Sequence, residues 1–166
     1  MRSLLLSLIF FLAGSCAQAS EPVTQFNVVL LQPSSILEER VQSVDAMAEY
    51  IKAVQSALRE AIVASGSKQS VGGFVVVAVR PGLQSKVWLD FDTLLDLEVR
   101  KEMTLQVMAV KPFEALKGPV VFALKVALWN GKESKRVAPA PAEWKNATRG
   151  APPLEVGELV EKLWNE

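Results

Sequence analysis

Three carboxylates stand close together in the stretch DFDTLLD: Asp90, Asp92 and Asp96. Side chains of this type at this spacing can do three kinds of work. A pair can act as acid and base on a glycosidic bond. Several oxygens together can hold a hard divalent cation, although the stretch lacks an EF-hand pattern. Or they can serve the helix that follows, Asp92 and Thr93 capping it and Asp96 complementing its dipole. Capping is the ordinary role, and it is the reading taken here.

Other reactive groups are scarce. The chain has no histidine, so the base that a serine nucleophile needs near neutral pH is missing. Ser67-Lys68 and Ser85-Lys86 are formal serine–lysine dyads, but each lies where solvated polar residues are usual. No G-x-S-x-G, P-loop, G-x-G-x-x-G or H-E-x-x-H pattern occurs. No catalytic residue, cofactor-binding residue or metal ligand is assigned.

The single cysteine, Cys16, follows an apolar run. Arg2, then Leu4 to Ala13, then small residues make the order of a secretory signal peptide over residues 1–19. The run is shorter than the roughly 20 residues a bilayer span requires, and no later stretch is long and uncharged enough to be a transmembrane helix. Two exits compete. Ala17-Gln18-Ala19 would release a soluble chain beginning at Ser20. Ala13-Gly14-Ser15-Cys16 resembles a bacterial lipobox and would make Cys16 a lipid anchor. Neither leaves a free thiol, which excludes disulfides, thiolate catalysis and zinc-thiolate sites. The expected location is periplasmic or secreted, with tethering to the membrane if Cys16 is acylated. With 18 basic and 18 acidic residues, the chain has no electrostatic footprint for nucleic acid or anionic lipid.

The elements that would position these groups follow from hydrophobic period. Residues 20–34 read as a connector whose apolar run, Val28 to Leu31, is either an edge strand or a stretch tucked against the body. Residues 35–132 read as the core domain. Ser35 to Glu38 fits a capping box. Apolar residues then recur from Leu37 to Ile62 in steps of three and four, giving one long helix whose length invites a break near Ser43 or Asp45. Val71 to Val79 is a continuous β-branched run, as in a strand covered on both faces. After the turn at Arg80-Pro81-Gly82, Ser85 to Asp92 alternates with period two, completing a hairpin. Thr93 to Val110 reads as a second helix stopped before Pro112. Val120 to Trp129 reads as a third strand closed by Asn130-Gly131. Residues 133–166 read as a proline-rich spacer and a C-terminal helix, Leu154 to Trp164, too short to persist undocked. The expected fold is α+β: a long N-terminal helix, an antiparallel three-stranded sheet and a helical tail.

The order helix, hairpin, helix, strand over Glu49 to Asn130 resembles the C-terminal domains of TonB and TolA. The residues carrying it are Tyr50-Ile51-Lys52, GGFVVVAVRPG, QSKVWLDF and VKPF. The inner-membrane anchor and long periplasmic spacer of those families are not seen here. The resemblance implies an envelope module that binds partners through a sheet edge, and no functional residue is carried over from it.

All four tryptophans lie in the second half of the chain. If the strands carrying Trp88 and Trp129 pair, both indoles share one sheet face and offer an aromatic patch to a protein or glycan. Alternatively the tail folds back, and Trp144 and Trp164 complete a second small core. Together these features favour a non-catalytic binding module of the bacterial cell envelope with a protein partner, for instance an immunity or inhibitor protein. A structural or assembly lipoprotein of an envelope complex is the alternative, and a carboxylate-based enzyme acting on a glycan comes last.

Overall fold

The computed structural model describes residues 21–150, 152 and 154–164. The leader, residues 1–19, and Cys16 lie outside the described residues. Four strands and five helices follow in the order β1 (Val23–Leu30), α1 (Ser34–Arg40), α2 (Val44–Ala64), β2 (Val71–Arg80), β3 (Gln84–Phe91), α3 (Leu97–Ala109), β4 (Val120–Leu128), α4 (Ala142–Ala147) and α5 (Val156–Trp164).

The sheet is four-stranded and antiparallel, in the order β1-β4-β2-β3. This corrects the expected three-stranded sheet. The connector supplies a fourth strand at the edge, where Val23 pairs with Leu128 and Leu30 with Phe122. Its signal is faint for a physical reason. The register slips between Gln25 and Asn27, and such a bulge breaks the period-two alternation that marks a strand.

The long N-terminal helix is also corrected, because it is two helices. Val41 leaves helical geometry to bridge Ala115, and the Leu116 N–H donates to the Arg40 carbonyl at 2.7 Å. Ser43 then caps α2 by accepting from the Ala46 N–H at 3.2 Å. No capping box forms at Ser35, since α1 begins at Ser34 behind Pro33 without a side-chain cap. Likewise α3 begins at Leu97 rather than Thr93, with Asp96 at its N-cap position.

The middle strand β2 is buried along both faces, as its unbroken apolar run requires. Val75, Val77 and Val79 point into the larger core with α1, α2, α3, Phe122 and Leu124. Phe74, Val76 and Ala78 point the other way, toward Trp88, Trp144, Leu159, Val160 and Leu163. The molecule is therefore three layers deep, with α1–α3 on one side of the sheet and the tail helices on the other. Gly72 makes room for the tail: a Cβ there would sit 2.1 Å from the Lys132 carbonyl oxygen.

Candidate functional site

The carboxylates that open the sequence reading do not converge. Asp90 accepts from Arg136 Nη1 at 2.5 Å and from the Ala140 N–H at 2.6 Å. Asp92 accepts from Ser134 Oγ at 2.8 Å and Arg136 Nε at 3.0 Å. Asp96 turns away and accepts from Ser67 Oγ at 3.1 Å. Arg136 also stacks on Phe74, 5.3 Å from the ring centroid. Two of the three acids therefore fasten the tail to the sheet. Asp92 is not a helix cap, and Asp96 gives α3 no side-chain cap bond. No group of three or more cation-binding side chains occurs among the described residues.

The two singled-out indoles do not share a face. Strands β3 and β4 are separated by β2. Trp88 is buried on the tail side, edge-on to Trp144 at 5.5 Å. Trp129 packs against the larger core from the turn after β4, where it takes the left-handed backbone conformation (φ 45°) with Lys68 5.9 Å from its ring. Trp164 faces Arg80, whose guanidinium lies 4.4 Å from the ring. The aromatic residues of the tail and of β3 are thus engaged within the fold.

One surface that remains available is the β1 edge. Its phase follows from one hydrogen bond. The Leu31 N–H donates to the Val121 carbonyl at 3.2 Å, and residues in an antiparallel pair alternate between bonded and non-bonded positions. Counting back, Val29 and Asn27 direct their backbone groups to β4, and Val28 and Leu30 direct theirs outward. Where β1 ends, the Gln32 side chain takes over, its Oε1 accepting from the Val121 N–H at 3.0 Å.

Several side chains on this edge are apolar and uncovered. Phe26 is 40% exposed, Val28 38% and Leu30 51%, while Val44, at the start of the neighbouring helix α2, is 76% exposed. Leu30 also lines a groove of about 220 Å³ with Leu37, Val41, Val44 and Met47, and Ser34 and Glu38 complete its wall. The contrast with the opposite edge is sharp. Strand β3 carries Lys86 and Asp90, and both are held by the tail, Lys86 donating to the Leu163 carbonyl. Strand β1, VTQFNVVL, has no charge and no proline. Those are the devices by which isolated sheet edges are usually guarded.

No family model matches this chain, and neither the curated proteins nor the solved structures yield a match. Among the described residues no helix is long and apolar enough to cross a membrane. Sequence reasoning left Val28 to Leu31 open between an edge strand and a tucked stretch, and the structure puts Val28 to Leu30 in the edge strand β1. The signal was there: a strand-like run without a single charged residue.

Proposed function

We propose that this chain is an exported, non-catalytic binding module of the bacterial cell envelope, and that it holds a protein partner by adding an extended segment of that partner to β1. One observation carries the reading: Val28 and Leu30 turn their backbone hydrogen-bonding groups out from an unguarded edge, with exposed apolar side chains beside it. Backbone groups give such an added strand its affinity, and the side-chain pockets beside the edge give it selectivity. The absence of histidine and the tying of Asp90 and Asp92 to Arg136 support a binding role over a catalytic one. Export rests on the leader-like residues 1–19, and an immunity or inhibitor protein is one concrete form the module could take.

The test is positional. A photo-crosslinking residue replacing Leu30 should capture a discrete protein in intact envelopes, and the same residue replacing Leu105, exposed on α3, should not. Val28→Pro removes an outward N–H and should abolish capture while the protein stays folded. Equal capture from both positions, or capture unaffected by Val28→Pro, would remove the edge from the reading.

A further inference from the structure

The edge is charged differently at its two ends, and that polarity constrains what can lie on it. Helix α2 runs antiparallel to β1. Its first turn meets the end of the strand, since Val44 and Met47 share the groove with Leu30. Its last turns meet the start, since Arg59 Nη2 lies 2.7 Å from Glu21 Oε1, two residues before β1. Steps of three and four residues keep one helical face toward the same neighbour. Val44, Ala48, Lys52, Gln55 and Arg59 form that face. Lys52 is exposed and has no ion pair among the described residues. At the opposite end stands Glu38, equally exposed and equally without an ion pair among the described residues.

The edge therefore reads anionic beside Leu30, apolar along Val28 and Leu30, and cationic toward Val23. The pairing of Arg59 with Glu21 shows that the cationic end accepts a carboxylate. We infer that the segment added to β1 runs antiparallel, as all pairs in this sheet do, and carries a basic residue at its N-terminal end, apolar residues at alternate positions and an acidic residue at its C-terminal end. Alternate side chains of such a segment fall on the helix side, where they cover Val28, Leu30 and Val44. Its basic residue meets Glu38, and its acidic residue meets Lys52. This rests on the edge-binding reading above and adds the sequence chemistry and direction of the partner.

Two end-blocked peptides of identical composition test it against the full mature protein, with β1 amide resonances and affinity as readouts. One is Lys-Thr-Val-Thr-Val-Thr-Glu, whose Lys, two Val and Glu share one face, and the other exchanges its terminal Lys and Glu. The lysine-first peptide should bind about threefold to tenfold more tightly at low salt, a preference that shrinks as salt screens the pairs. Combining Glu38→Lys with Lys52→Glu should reverse the preference, and Val28→Pro should abolish binding of both peptides. Equal affinities, or a preference that the charge swap leaves unchanged, would overturn the inference and leave the edge reading standing. Peptides that never perturb β1 would overturn both. Sedimentation of the free protein adds a separate outcome: a dimer joined through β1 would make a second copy the occupant and overturn the inference.

Discussion

At the scale of single residues, Arg136 concentrates more interactions than any catalytic candidate does. Its guanidinium reaches the Asp90 carboxylate, the Asp90 carbonyl and the Asp92 carboxylate while stacking on Phe74. The pairing is only partly shielded, so Arg136→Met should cost about 1–3 kcal/mol, measured by chemical denaturation, because it strands the nearly covered Asp90. Arg136→Lys should recover little of it, since a point charge cannot reproduce the two-pronged geometry. Tyr50 poses a different question. Its hydroxyl is buried without a hydrogen-bond partner, and burial pushes its pKa above the ordinary value of 10.0. The folded state thus favours the protonated phenol. Stability from this group is fully present below about pH 10 and is lost as the pH climbs through the raised value. Tyr50→Phe should be neutral or mildly stabilising at pH 7 and should remove this part of the alkaline loss, as read from denaturation midpoints across pH. Sequence could nominate Asp90 and Asp92, but it could not supply Arg136, because nothing local links residues so far apart in the chain.

Among elements, legibility tracked how much of each was buried. Strand β2 is covered on both faces, so its apolar run was unmistakable. The alternation of β3 likewise separated the residues facing the helices from those facing the tail. Strand β1 is mostly uncovered and bulged, which left it half-read as a connector. Helix α4 was passed over because six residues carry almost no periodic signal, and its single buried anchor, Trp144, belongs to a contact made at a distance. The ladder phase assigned to β1 has its own check. Val29→Pro should destabilise the protein by about 3 kcal/mol, because the N–H it removes faces β4. Val28→Pro should cost about 1 kcal/mol or less, since proline is tolerated where a strand's N–H faces outward. Equal costs in thermal or chemical denaturation would mean that the phase is wrong.

For the whole molecule, the sheet has two apolar faces and the tail supplies the cover of one. Lys86 holds the last turn of α5 through the Leu163 carbonyl, and Arg80 adds its contact with Trp164 and a 3.8 Å approach to Glu161. A cation at a helix C-terminus complements the helix dipole as well as the free carbonyls. Gly72→Val should loosen this cover from the other end by colliding with the backbone at Lys132 and Ser134. The expected result is a lower midpoint together with binding of an apolar dye at pH 7, and unchanged dye binding would show that the tail tolerates the added bulk.

The strand order has a further outcome in time. Among the described strands the first pairs with the last, so the β1 edge is complete only once β4 is in place. Closures between such remote segments are slow and come with the rest of the native contacts. A molecule still lacking β1 would present the bare edge of β4, a different surface from the one that carries Val28 and Leu30. Recognition at this edge would therefore report that the host has finished folding.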